Sequence, residues 1–189
     1  MNSLITNARL ADGRLVDVTL AAGMIASVTP AGTADPASPG GLQGVDLGGW
    51  LLLPAMAEPH AHLDKALTAE LVPNPGGDLS GAIEAWLAAA SAGVFAHDDM
   101  VVRIKMAIDK LLLNGVTAIR SHINCGGMTG ISHLVAAREA IAGYEQLIDI
   151  EFVALTHSPM VGAGSEPNRT ALNQAIEYGA DLVGGCPHL

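Results

Sequence analysis

Residues 50 to 62 read Trp-Leu-Leu-Leu-Pro-Ala-Met-Ala-Glu-Pro-His-Ala-His, and this stretch governs the interpretation of the whole chain. An apolar run of strand length leads through Pro54 into His60, and His62 follows two residues later. Successive side chains of a strand point to opposite faces, so residues two apart share a face. The spacing predicts that the two imidazoles project together and could ligate one divalent metal ion. Short motifs of this kind also arise by chance. The surrounding sequence pattern therefore has to decide whether the two histidines form a metal site.

The residues before the histidine pair predict a small β domain over residues 1–53. Short runs of strand-forming residues are separated by turns that contain glycine, which is typical of a hairpin or small meander. A segment rich in Pro, Gly, Ala and Ser with no periodicity predicts an exposed loop over 29–44. Strands are expected over residues 4–10, 16–20, 24–28 and 45–53, the last running directly into the histidine pair.

From residue 54 to 189 the chain alternates between helical and strand patterns. Apolar residues at helical spacing predict helices over 79–92, from 98 or 99 to 114, from 132 to 143 and from 165 to 179. Strands are predicted between them over 116–122, 148–156 and 180–184. The third helix of this regular series should bury Leu172 and Ile176. Such alternation predicts parallel pairing, either in an open doubly wound sheet or in a (β/α)₈ barrel.

The positions of the histidines favour the barrel. A dinucleotide fold would carry a glycine-rich phosphate fingerprint after an early strand, and this chain has none. A barrel places its functional residues at the C-terminal ends of its strands. Five of the seven histidines fall at or just beyond predicted strand ends, namely His60, His62, His122, His157 and His188. The other two, His97 and His133, flank helices, and no chemical role is expected for them.

Composition excludes several classes of protein. The net charge of −10 and the aromatic content of 3% argue against a nucleic-acid partner, which requires clustered basic residues. A small neutral or cationic ligand is expected instead. The N-terminus lacks the pattern of a secretory signal, and no apolar run reaches the ~18 residues that span a bilayer, so a cytoplasmic protein with no membrane partner is predicted. Cys125 and Cys186 are expected to be free thiols.

Four motifs in order resemble the amidohydrolase superfamily, in particular its cytosine deaminase-like branch. They correspond to that branch's first four barrel strands and cover nearly the whole chain. The motifs are Asp46-Leu47-Gly48-Gly49 through Leu53-Pro54 with Glu58-Pro59-His60-Ala61-His62-Leu63-Asp64-Lys65, then Gly115-Val116-Thr117-Ala118-Ile119-Arg120-Ser121-His122, Val153-Ala154-Leu155-Thr156-His157, and Gly179-Ala180-Asp181-Leu182-Val183-Gly184-Gly185-Cys186-Pro187-His188. The resemblance implies a TIM barrel of the metal-dependent hydrolase type, present as its first four β/α units.

The resemblance also implies a site and a reaction. His60 and His62 would be ligands of one divalent metal ion, Zn or Fe, whose bound hydroxide attacks a cyclic amidine carbon so that ammonia or an amine leaves. The substrate contacts would be His157, His122, Asp64 and Lys65. The position of His157 is usually Gln in cytosine deaminases, so the hydrogen-bonding pattern toward the ring differs here. The family's other ligands and its acid/base Glu come from later strands, so the 189-residue chain alone is expected to be inactive.

Two alternatives stay open at this point. One is an aminotriazine amine hydrolase of the same superfamily, which would share the metal site and differ in the ring it accepts. The other is a non-catalytic half-barrel that associates with itself, as a homo-oligomer, or with a missing C-terminal half. Four parallel strands alone would expose two unpaired edges and an apolar inner face, which favours association.

Overall fold

The computed structural model describes residues 3–33 and 43–186, and the chain forms two compact units, Met1–Pro54 and Ala55–Leu189. Residues 34–42 of the expected loop lie outside the described part of the chain, as does His188. None of the described helices is both long and apolar enough to cross a bilayer.

The first unit is a four-stranded sheet in the order β3-β2-β1-β4. Its strands are β1 (Ser3–Arg9), β2 (Leu15–Ala21), β3 (Met24–Pro30) and β4 (Gln43–Asp46). β2 pairs antiparallel with β1 and β3, and β4 pairs parallel with β1. Ala8, Val16 and Val18 form its buried centre. β3 also includes Thr29 and Pro30, the first two residues of the segment that was expected to be a loop.

The predicted strand over residues 45–53 is confirmed only for Val45 and Asp46, and a turn interrupts it before Leu51 forms an isolated parallel bridge with Arg9. β4 ends at Asp46, whose side chain accepts a hydrogen bond from the amide of Gly48 at 2.8 Å. Gly48 and Gly49 then take left-handed backbone conformations with φ of 55° and 86°, which turns the chain out of the strand. The apolar run beyond this turn is exposed rather than buried, with 79% of Trp50 accessible to solvent. A local turn has overridden the strand preference of the apolar side chains.

The second unit contains a parallel sheet in the order β5-β6-β7-β8. Its strands are β5 (Met56–Ala61), β6 (Val116–Cys125), β7 (Asp149–Thr156) and β8 (Leu182–Gly185). The connections carry a 3₁₀ turn (Leu63–Lys65) and the helices α1 (Leu79–Ser91), α2 (His97–Leu113), α3 (Ser132–Ala140) and α4 (Glu166–Glu177). The predicted α/β architecture, with a partial parallel sheet and a separate small sheet, is confirmed.

Helices α2 and α3 bury the apolar stripes that their sequences predict. Ile104 and Ile108 of α2, Leu134 of α3 and Phe152 of β7 are fully buried in one core. Helix α2 begins at His97, with Ala96 as its N-cap, so Asp98 and Asp99 lie in the first turn rather than capping the helix. Carboxylates there still favour the helix because they face the positive end of its dipole.

Helix α4 packs one of the two expected side chains, Leu172, partly buried against the core, but not the other. Ala171 and Ala175 are buried, whereas Ile176 is 49% exposed. Successive helical residues are rotated by about 100°, so a face that contains residues 171 and 175 turns residue 176 away from the sheet. The close approach of a helix through alanines has displaced the larger side chain from the core.

Candidate functional site

Three histidine rings lie together near the C-terminal edge of the parallel sheet. His60 is the penultimate residue of β5, His62 follows that strand, and His122 lies on the neighbouring strand β6. The ring centroids are 5.3 Å apart for His60 and His62, 4.3 Å for His60 and His122, and 5.5 Å for His62 and His122. The parallel pairing of Ala61 with Ser121 brings the two strands into this register. β6 continues to Cys125, so His122 lies within the strand and not at its end.

The orientation of His62 is fixed by a backbone hydrogen bond. Its Nδ1 lies 3.1 Å from the carbonyl oxygen of His122. Because a carbonyl only accepts, Nδ1 donates, and Nε2 keeps its lone pair. Burial, together with the nearby Lys65 charge, lowers the pKa of His62 and favours its neutral ring. A neutral imidazole held through one nitrogen is the form in which histidine binds metal ions.

His60 and His122 form a stacked pair with an interplanar angle of 23°. His60 is exposed at the surface of the unit, and His122 is partly buried. Burial and the neighbouring His60 lower the pKa of His122. The Nδ1 atom of His122 is buried and has no hydrogen-bond partner among the described residues. The cluster thus has one ring oriented by the backbone and one ring with an unused polar atom.

The described residues do not complete a metal site. Across residues 3–33 and 43–186, no group of three or more His, Cys, Asp or Glu side chains is arranged so that it could hold a metal ion. Structural zinc sites use four protein ligands and catalytic ones usually three. His60 and His62 are therefore at most part of a ligand set.

A cavity of about 490 Å³ opens beside this histidine cluster. Apolar side chains of α1 form one wall, and residues at or just beyond the C-terminal ends of the strands form the other. The polar and aromatic residues that line it are His62, Lys65, Trp86, Asn124, Thr156, His157, Ser158 and Cys186. The cavity thus contains His157 and Lys65, two of the residues predicted to contact substrate. His122 and Asp64 do not line it.

Lys65 extends from the 3₁₀ turn into this cavity. Its Nζ donates to Oδ1 of Asn124 at 2.7 Å and lies 3.4 Å from both carboxylate oxygens of Asp64. The same ammonium lies 5.1 Å from the ring centroid of Trp86, within the range of a cation–π interaction. His157 is half-buried nearby, and burial together with the Lys65 charge lowers its pKa. Lys65 thus brings a positive charge into a cavity whose histidine at position 157 favours the neutral form.

Asp64 lies behind the cavity and is fully buried. Its Oδ2 lies 2.9 Å from Nδ1 of His133 and accepts from the backbone amide of Asn124 at 3.2 Å. Burial alone raises the pKa of Asp64, but attraction to Lys65 and the hydrogen bonds from His133 and Asn124 outweigh it and bring the pKa to about 2. Asp64 is therefore an ionised hub that joins the turn to β6 and α3.

Sequence reasoning missed two members of this buried network. His133 is 3% exposed, and Arg103 donates to the carbonyl oxygens of Asp64 and Ala66 at 3.3 and 2.8 Å. The expectation that His133 has no role overlooked its spacing. It precedes three buried alanines of α3 at intervals of three, four and seven residues, which places it on the buried stripe. A histidine in such a stripe requires a polar partner, and Asp64 is that partner.

Comparisons with known proteins give a consistent set of relatives. No family model matches the chain. A pterin deaminase of Rhizobium rhizogenes is 31% identical over 108 residues, which is 57% of this chain and 24% of that protein. The crystal structure of 5-methylcytosine deaminase from Klebsiella pneumoniae liganded with 5-fluorocytosine is 31% identical with a TM-score of 0.79, over 98% of this chain and 43% of that one.

A second solved structure, N-isopropylammelide isopropylaminohydrolase from Burkholderia multivorans, is 27% identical with a TM-score of 0.79. The match covers 98% of this chain and 45% of that one. The chain thus spans less than half the length of each of these three proteins. These comparisons confirm the predicted resemblance to the amidohydrolase superfamily, in its cytosine deaminase-like branch.

Proposed function

We propose that this chain, which resembles the opening part of cytosine deaminase-like amidohydrolases, supplies two metal ligands and one wall of the substrate cavity of a deaminase. The reaction would be hydrolysis of a carbon–nitrogen bond in a cyclic amidine, with a cytosine-like ring as substrate. The observation that carries the proposal is the gathering of His60, His62 and His122 within 5.5 Å beside a mostly apolar cavity. The 31% identity to 5-methylcytosine deaminase supports the choice of ring.

The donors present are suited to a divalent metal ion such as Zn or Fe. Imidazole nitrogen is a common ligand of both ions. His62 donates through Nδ1 to a backbone carbonyl, which leaves Nε2 directed elsewhere, and His60 lies beside it. We assign these two residues as ligands. When bound, the ion would act as a Lewis acid that lowers the pKa of water toward neutrality.

The other residues of the site would bind and orient the ring. His157 is half-buried at the cavity wall, and with a neutral ring it offers one donor and one acceptor to a substrate. Lys65, which donates one hydrogen bond to Asn124, would offer a further N–H donor to the ring. His122 would act from the rim, by holding His62 through its carbonyl. Asp64 would act only through Lys65 and His133, since it is buried beneath them.

The acid/base residue and the remaining ligands would come from protein outside these 189 residues. The described part offers no third ligand in reach of the histidine pair, so the chain alone is expected to bind metal weakly and to be inactive. An aminotriazine-type ring is the second candidate substrate, and the 27% identity to N-isopropylammelide isopropylaminohydrolase supports it.

A non-catalytic half-barrel that associates with itself, or with a further segment, is the rival function. It is supported by the sheet, because β5 and β8 each have a strand on one side only within the described residues. Unpaired strand edges are association-prone. Sedimentation of the purified chain across a concentration series distinguishes this case, since a monomer at all concentrations with one cooperative melting transition would contradict it.

The deaminase proposal is tested by ammonia release from cytosine, 5-methylcytosine and an aminotriazine. The assay should include any longer product of the same gene, loaded with zinc or iron, alongside the 189-residue chain. His60→Ala and His62→Ala should abolish release. His97→Ala is the matched control, because His97 is an exposed histidine that pairs with Glu139. Absence of release by the longer protein with every substrate would refute the proposal.

A further inference from the structure

We infer that the cavity selects a planar heteroaromatic ring bearing an anionic oxygen, which Lys65 receives. The inference rests on the proposed function for the reaction, but it concerns binding alone and is tested without turnover. It also favours oxo-substituted rings over rings that carry only amino groups.

The charge of the cavity is opposite to that of the chain. The whole chain carries a net charge of −10, and on that basis a neutral or cationic ligand was expected. Within the described part of the chain, however, no carboxylate lines the cavity, and Lys65 is the one lining residue with a permanent charge. Nδ1 of His62 is engaged by the carbonyl oxygen of His122, and burial lowers the pKa of His157. A ligand in the cavity therefore meets one cation and neutral walls.

The neutralising partner of Lys65 is out of the ligand's reach. Asp64 has no exposed surface, and its carboxylate lies behind the ammonium with two additional hydrogen bonds from His133 and the Asn124 amide. The distance from Nζ to each Asp64 oxygen is 3.4 Å, which is long for a charge-assisted hydrogen bond. The carboxylate thus positions the ammonium without using all of its N–H donors, and the ammonium lines the cavity.

Lys65 has donor capacity to spare. An ammonium carries three N–H donors. Within the described residues one of them donates to Asn124, and the two 3.4 Å contacts with Asp64 can share a second, which leaves the third for a ligand. Its remaining surroundings are the ring of Trp86, at 5.1 Å, and the cavity itself. An oxygen acceptor on a ligand would complete the set. A ring amino group would instead oppose donor to donor.

The apolar walls determine the rest of the ligand. Trp86, Ile83 and Leu87 of α1 face the cavity together with Leu155. Flat aromatic and aliphatic surfaces bind the face of a planar ring, and a low-polarity surrounding strengthens the interaction of its charged oxygen with the ammonium. The structure therefore fits a ring that is apolar on its faces and negatively charged at one edge.

Binding can be followed through Trp86. The chain has two tryptophans, and Trp50 is 79% exposed in the other unit. In a Trp50→Phe background, quenching of Trp86 fluorescence would report occupancy of the cavity by barbiturate, cytosine or melamine at neutral pH. These rings carry an anionic oxygen, a neutral carbonyl and amino groups only, respectively. Barbiturate should bind at least about tenfold more tightly than melamine, with cytosine between them, because hydrogen bonds to charged groups are the strong ones.

Variants assign the preference to Lys65. Lys65→Met should remove the preference for barbiturate, and Lys65→Arg should retain most of it. Lys105→Met is the matched control, since Lys105 is an exposed lysine on α2. Circular dichroism of each variant reports folding. If Lys65→Met does not fold, the wild-type ligand series and Lys65→Arg still decide the matter.

Equal affinity for barbiturate and melamine, or a preference that survives Lys65→Met in a folded protein, would overturn the inference. The outcome is separate from that of the deaminase proposal. Selective binding of barbiturate without ammonia release by any form of the protein would leave the cavity assignment intact and refute the enzyme. Ammonia release without selective binding of the anionic ring would support the deaminase and refute the assignment of the cavity.

Discussion

The two ends of one short stretch behave in opposite ways. His60 is exposed and His62 is half-buried, and both lie at the edge of the sheet with their rings in contact. Asp64, two residues after His62, is fully buried and accepts hydrogen bonds from α3 and β6. The rim, formed by His60 and His62, carries groups that could bind a metal ion. The buried layer beneath it, formed by Asp64 and its partners, holds the rim in place. Proximity in sequence therefore says little about which role a residue has.

The largest effect is expected at Asp64. Asp64→Ala should lower the free energy of unfolding by about 3–5 kcal/mol, because it leaves Lys65 without its counter-charge and His133 without its acceptor in a buried site. Urea denaturation measures the change. Asp12→Ala, which breaks an exposed pair with Arg14, should reduce stability far less, because solvent screens such a pair. Equal losses in the two variants would remove the distinction between rim and buried layer.

The Asp64 effect should depend on pH in a defined direction. Since the folded-state pKa of Asp64 is lowered from 3.8 to about 2, its ionised form is favoured by folding. The stabilisation is fully present above pH 3.8 and is lost as the pH falls through about 2. The difference in stability between wild type and Asp64→Asn should therefore narrow on acidification over this range. A difference that widens there would contradict the assignment.

A pair of histidine variants separates stability from metal binding. His133→Ala should cost about 2 kcal/mol in urea denaturation, because a buried carboxylate loses a hydrogen bond. It should leave zinc affinity unchanged. His60→Ala should change stability by less than about 0.5 kcal/mol but weaken zinc binding by about tenfold or more, as measured by competition with a chromophoric chelator. Similar profiles for the two variants would show that the two histidine environments are not distinct.

The two cysteines provide the same comparison between a buried side chain and one that lines the cavity. Cys125 is 1% exposed at the end of β6, and burial raises the pKa of its thiol to about 12. Cys186 is half-buried and lines the cavity. A chromogenic disulfide reagent should react with Cys186 at least about tenfold faster than with Cys125 in the native protein. Cys186→Ser should remove the fast phase of this reaction. Loss of the slow phase in that variant would show that Cys125 is the faster-reacting thiol.

A small effect is expected at an exposed ion pair on the same strands, two residues before His122. Arg120 and Glu151 form a cross-strand pair at 2.7 Å with about half of each side chain exposed, at 49% and 52%. Arg120→Gln should change the free energy of unfolding by no more than about 1 kcal/mol, since solvent screens such pairs. A loss comparable to that of Asp64→Ala would show that this ion pair contributes more to stability than its exposure suggests.

Local patterns predicted most of the elements but not their ends. Periodicity placed α1 and α2 and the strands β6 and β7 close to their observed positions. It failed for residues 45–53, where the turn at Gly48 and Gly49 interrupts an apolar run. It also failed at Ile176, whose burial depended on how closely α4 approaches the sheet. In both places the outcome could not be predicted from the periodicity of the local sequence alone.

The sequence by itself determined the alternation of helices and strands, the resemblance to amidohydrolases, and the presence of His60 and His62 beside the first parallel strand. Those features follow from side-chain periodicity and from motifs that are contiguous in the chain. Only the tertiary structure decided that Asp64 is buried, that His133 is its partner, and that a negatively charged chain has a cavity with a lysine cation. These depend on contacts between residues up to 69 positions apart, and burial, which sets the strength of a charge interaction, exists only once those residues meet.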